Sequence, residues 1–113
     1  MSSSAVRATA GFSPSVLYVG CDMDVWYTGA RTRTGTYLNS GSCTWELLDS
    51  AGASLASGPM PYEADSDGDY RGVIDATTTA TLTPNALYAV AITFTSGDSG
   101  DYRRLPAAAG YRE

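Results

Sequence analysis

Apolar and polar residues alternate along most of this chain. In Asp22–Thr28, Met23, Val25 and Tyr27 fall on one side and Asp22, Asp24 and Trp26 on the other. Ser42–Asp49 alternates again, with Cys43, Trp45 and Leu47 on one face. Beyond Leu82, the residues Tyr88, Val90, Ile92 and Phe94 share one face, and Leu87, Ala89, Ala91 and Thr93 share the other. A period of two residues is that of a half-buried strand. Ser15–Gly20, Leu55–Tyr62, Tyr70–Ile74 and Tyr102–Tyr111 are weaker strands by the same reading. Gly58, Pro59 and Pro61 place Leu55–Tyr62 at a sheet edge, while Pro106 and its neighbouring alanines make the last strand irregular. Ser50-Ala51-Gly52, Asp65-Ser66-Asp67-Gly68 and Ser96–Asp101 are turns, and Gly29–Gly41 is a long polar connection. Asp75–Leu82 has room for one helical turn. About seven short strands with a turn signal roughly every ten residues predict an all-β sandwich. Its expected core is Trp45, Leu47, Tyr88, Val90, Ile92 and Phe94. Trp26, on the polar side of its strand, needs cover.

Two resemblances sharpen this. The stretch Leu82-Thr83-Pro84-Asn85-Ala86-Leu87-Tyr88-Ala89-Val90 resembles the tyrosine corner of immunoglobulin-like sandwiches, and the same pattern occurs in fibronectin type III domains. It implies an antiparallel sandwich in which the Tyr88 hydroxyl bonds to the chain a few residues upstream while the ring packs inward. Ser42–Phe94 is also similar to a class of small proteins encoded among the head and tail genes of tailed bacteriophages. The features shared are Trp45-Glu46-Leu47, then Asp49 with a Gly turn, then Asp67-Gly68-Asp69-Tyr70-Arg71-Gly72, then Leu82 to Tyr88. That resemblance implies a structural component of the virion, assembled in the bacterial cytoplasm, with no catalytic residues to carry over. Its partners would be capsid, connector or tail subunits in a multi-copy assembly, in a decoration or a head-to-tail role.

The length of 113 residues suits one domain. Residues 1–13 are small and polar and read as a flexible arm ended by Pro14, which leaves 14–113 as the sandwich. The formal net charge of -5 argues against a large phosphate-binding surface, and so against nucleic acid as a partner. No segment approaches the roughly 20 apolar residues of a membrane span, so no membrane partner is expected, and Met1–Arg7 lacks the apolar run of a secretory leader. All seven basic residues are arginine, the side chain suited to planar, bidentate contacts.

The sequence contains no His, which bears on Gly97-Asp98-Ser99-Gly100. This segment looks like the nucleophile of a serine protease, but that chemistry needs a base beside the serine. A hairpin turn is the better reading, and no enzyme activity is expected. Asp65, Asp67 and Asp69 around Gly68 resemble the start of a calcium loop. The loop's closing bidentate Glu is missing, and Asp and Gly are ordinary turn residues, so weak calcium binding is the lesser reading. No cofactor is expected. Cys21 and Cys43 are read as free thiols, a disulfide requiring that the two strand ends meet. The candidate contact surface is Trp26, Tyr37, Tyr62 and Tyr102, with Arg31, Arg33, Arg103 and Arg104 for acidic partners. The function expected is non-enzymatic binding of neighbouring virion subunits. The alternative is an adhesion or carbohydrate-binding sandwich that docks a host glycan through Trp26 and loop tyrosines.

Overall fold

In a computed structural model, described over residues 6–11 and 16–112, the alternating segments form two sheets. The strands are β1 (Arg7–Gly11), β2 (Val16–Tyr18), β3 (Met23–Arg31), β4 (Ser42–Asp49), β5 (Ser54–Pro59), β6 (Tyr70–Ile74), β7 (Leu87–Ser96) and β8 (Ser99–Gly110). One sheet has the order β1-β3-β6, the other β2-β8-β7-β4-β5. Every pairing is antiparallel except that of β2 with β8. β6 lies beside β3, and β7 lies between β4 and β8. The fold is an all-β sandwich.

Alternation sets what lies between the sheets. Met23, Val25 and Tyr27 of β3 and Tyr70 and Ile74 of β6 meet Cys43, Trp45 and Leu47 of β4 and Val90, Ile92 and Phe94 of β7 in one core. Tyr27 stacks on Phe94 at 5.1 Å, and Tyr70 meets the same ring edge-on at 5.1 Å. The expected core residues are buried, except that Tyr88 is half-buried and packs against the cluster. Its hydroxyl accepts the Thr83 N–H at 2.8 Å, the upstream bond of a tyrosine corner. Trp45 fits because Gly58 and Gly72 leave room. A Cβ on either would come within 2.8 Å of the indole. Its Nε1–H is buried without a partner among the described residues.

α1 (Ala76–Thr79) fills the single turn foreseen, capped by Asp75, whose carboxylate accepts the Thr78 N–H. The Thr77 hydroxyl and the Thr78 amide hold that carboxylate below the usual range. The acidic turn is anchored at Gly68, which has φ +76° and lies so close to Ala30 that a Cβ would sit 2.6 Å from its nitrogen.

Two expectations are corrected. Residues 7–11 are not an arm. They form β1, paired with β3 from Thr9↔Thr28 to Gly11↔Trp26. Val6 is buried at 8% exposure, with Ala8 and Ala10 packed on the core. The reason is period two in small residues: Val6, Ala8 and Ala10 face in while Arg7 and Thr9 face out. The rest of the expected arm lies outside the described residues. The last strand is also regular, twelve residues long, in spite of Pro106. The Ala109 N–H points to Ala86 of the β7 side, whereas the Gly110 carbonyl points to Val19 on the β2 side. By alternation the Pro106 nitrogen faces away from β7. The β7–β8 ladder therefore loses no bond there.

Candidate interaction surface

The contact residues expected from the sequence fall in four places, with Tyr62 apart from them. Tyr102 and Arg104 stand on the outer face of the five-stranded sheet. Arg31 and Arg103 converge at one end of the sandwich. Trp26 stands on the outer face of the smaller sheet. Arg33 and Tyr37 are exposed in the connection between β3 and β4. Tyr62 joins none of these. It packs edge-on against Tyr70 at 5.6 Å, and its hydroxyl donates to the Ser66 carbonyl.

The register builds the first surface. Opposed residues form a row across the sheet: Ser57, Glu46, Ala91 and Arg104. The neighbouring row is Pro59, Thr44, Thr93 and Tyr102. Between them lies a shallow depression of about 340 Å³, lined by Thr44, Glu46, Ser57, Ala91 and Thr93, with Trp45 and Gly58 at its floor. Glu46 and Arg104 flank Ala91 with opposite charges, and among the described residues neither is in an ion pair. Tyr102 is 56% exposed beside them. Further along the face, Leu48, Ala89 and Ala91 are buried although they point outward. The Arg104 guanidinium comes within 4.0 Å of a Cβ built on Gly52 in the β4–β5 turn. Its stem therefore runs over these small residues, as long basic side chains do over apolar surface.

At the end of the sandwich, Asp101 ties the two sheets together. Its Oδ2 accepts the Tyr27 hydroxyl at 2.6 Å and the Arg103 Nε–H at 2.8 Å, and its Oδ1 accepts the Tyr102 N–H at 2.9 Å. Burial first, then the bond to Asp101, holds the Tyr27 hydroxyl well above the ordinary tyrosine range. The Tyr70 hydroxyl donates to the Leu38 carbonyl at 2.6 Å and accepts the Gly41 N–H at 2.9 Å, and burial raises it too. These two rings fasten the β3–β4 connection and β8 to the core.

On the smaller sheet, Arg71 supplies the cover that Trp26 needs. Its guanidinium lies 5.8 Å from the ring centroid and pairs with Asp24 at 3.0 Å and Glu63 at 3.8 Å. Asp24, Trp26 and Arg71 share that face because Trp26 is opposite Arg71 in register.

Gly97 and Asp98 form the turn of the β7–β8 hairpin, with Ser96 opposite Ser99. In the acidic turn, Asp69 accepts the Gly29 N–H at 2.8 Å and Asp65 adopts φ +62°. Among the described residues no three acidic or sulfur side chains gather as a metal site requires. Both cysteines are free thiols. Cys43 donates to the Met60 sulfur at 3.8 Å, and burial pushes its thiol up to about 12. At that value it is a small apolar group rather than a nucleophile.

No protein-family model matches the chain, and no curated protein matches it. Solved structures do. An engineered protein aligns over 92% of this chain with a TM-score of 0.61 and 18% identity. The adhesin domain of Epf from Streptococcus pyogenes aligns over 96%, with a TM-score of 0.56 and 14% identity. CopC from Methylosinus trichosporium OB3b aligns over 100%, with a TM-score of 0.50 and 16% identity. The chain spans 20% of the first, 34% of the second and 88% of the third. At these identities the likeness is one of fold.

Glu46 carries no sequence signal beyond an outward position of a strand. Arg7, opposite Arg31 on β1, falls in the segment that the sequence suggests is an arm, although Val6, Ala8 and Ala10 alternate there.

Proposed function

We propose that this chain is a non-enzymatic structural module of a tailed-phage virion that docks on a neighbouring protein subunit through the outer face of its five-stranded sheet. The observation that carries the docking face is Glu46 and Arg104, opposite in charge and without ion-pair partners among the described residues, flanking Ala91 with exposed Tyr102 alongside. Tyr and Arg are the residues that concentrate at protein interfaces. Unpaired charges of both signs select a partner of complementary pattern. The virion setting comes from the resemblance of Ser42–Phe94 to phage head and tail proteins. The shared fold with an adhesin domain supports adhesion as the second reading. Assembly is preferred because Arg71 already occupies a face of the Trp26 ring that a sugar would use.

Competition during assembly tests this. The chain is co-expressed with the structural proteins encoded beside its gene, and wild type competes against Tyr102→Ala or Arg104→Glu. Each variant should incorporate into particles about tenfold less, the equivalent of about 1.4 kcal/mol, with its melting temperature close to wild type. Equal incorporation would rule out this face. Loss of binding to a glycan array on Trp26→Ala would instead establish the adhesion reading.

A further inference from the structure

Three of the seven arginines meet in one hollow. It measures about 320 Å³ and is lined by Val6, Arg7, Ala8, Thr9, Arg31 and Arg103. Arg7 and Arg31 are directly opposite each other on antiparallel β1 and β3. Like charges in that relation repel and destabilise the pairing. The chain reaches this arrangement through a shift of register between Arg7 and Thr9, the kind of irregularity that re-aims a side chain at a functional position. Arg103 comes from the other sheet and is held by Asp101 at 2.8 Å. Arg31 is steadied by one bond from Nη1 to the Gly29 carbonyl at 3.3 Å. Among the described residues, Asp101 is the one carboxylate that pairs with any of the three. Three guanidinium groups and one carboxylate leave the hollow a formal +2, in a chain whose net charge is -5.

The geometry points to a binding site for a tetrahedral dianion, a phosphate or sulfate group, held between Arg7, Arg31 and Arg103. Arginine's planar fork suits such oxygens, and a dianion balances the formal excess where a single carboxylate leaves half of it. The hollow exceeds by far the ~30 Å³ share of one water, so it admits the anion with its remaining hydration or with an ester substituent against Val6 and Ala8. This site is separate from the docking face, because Arg103 and Arg104 are consecutive on β8 and point to opposite sides of the sheet.

Calorimetric titration of the full chain at fixed ionic strength is the test, with inorganic phosphate, sulfate, acetate and chloride as probes. Phosphate and sulfate should each bind saturably, one per chain. Phosphate should weaken as the pH falls and the dianion gives way to the monoanion, while sulfate should not. Arg7→Gln and Arg31→Gln should each weaken binding about tenfold, the loss of one charged hydrogen bond, and Arg104→Gln should bind as wild type does. Tighter binding of phenyl phosphate than of the inorganic ion would assign the group to a larger molecule, and the reverse order would assign it to the free ion. In anion-free buffer Arg7→Gln should melt no lower than wild type, since it removes a repulsion. A lower melting temperature there, an equal response to acetate, or undiminished binding by the Arg7→Gln, Arg31→Gln double variant would each overturn the proposal.

Discussion

Tyr88 shows how one residue carries a fold. Its ring packs on the core while its hydroxyl takes the Thr83 N–H at 2.8 Å, closing the turn that precedes β7. Tyr88→Phe keeps the ring and strands that N–H, which lies at the surface where water replaces part of the loss. The expected cost is therefore about 1 kcal/mol, the middle of the range for a neutral hydrogen bond. A urea midpoint that does not move would show that the corner adds nothing to stability. The Tyr88 pattern was legible because both halves of it are local, a turn with Pro84 and Asn85 and a tyrosine a fixed distance on. Asn85 indeed takes φ +71°, a conformation its side chain tolerates better than most.

Among the elements, β1 gave the least signal for its effect on the fold. Its inward residues are Ala8 and Ala10, with Val6 just before the strand, too small to stand out in hydrophobicity. Pairing with β3 is what gives them a place, because the Cβ positions are fixed by the neighbour's backbone. Deleting residues 2–11 should cost about 2–4 kcal/mol, mostly the burial of Val6 and the two alanines, and lower the melting temperature by roughly 10 °C or more. A truncated chain that melts with wild type would mean β1 adds nothing to the sandwich. The reverse case is β8, where Pro106 argued for irregularity. Pro106 is harmless because its nitrogen faces the side of β8 away from β7, a property of strand order rather than of local sequence.

For the whole molecule, the joint between the sheets is aromatic and polar at one end. Tyr27 of β3 reaches Asp101 of β8, and Tyr70 of β6 reaches the β3–β4 connection, with Phe94 between the two rings. Both hydroxyls are held above the ordinary tyrosine range, chiefly by burial. A raised folded value means that the unfolded chain loses its proton first. The contribution of these two rings is therefore full below about pH 10, the unfolded value, and declines as the pH rises from there, by at most about 1.4 kcal/mol per unit for each ring. Near-ultraviolet circular dichroism should report cooperative loss of the sandwich in alkali. Tyr27→Phe should be less stable at neutral pH, yet fall less steeply above pH 10. An unchanged slope would exclude Tyr27 as a source of alkaline instability.

The amino-acid sequence by itself determined which residues of each strand face inward, since side chains in a strand alternate whatever the strand's neighbours. It thereby determined the all-β fold, the core around Trp45, Val90 and Phe94, and the opposite outlooks of Arg103 and Arg104. Tertiary structure alone decided which strands became neighbours. That choice set Arg7 against Arg31 and brought Arg103 to them, and it placed Glu46 and Arg104 on either side of Ala91. It also turned Tyr62 inward and laid Arg71 over Trp26. These meetings join residues from distant parts of the chain. Nothing in a local pattern encodes them, because they depend on pairing register and on the packing of one sheet against the other.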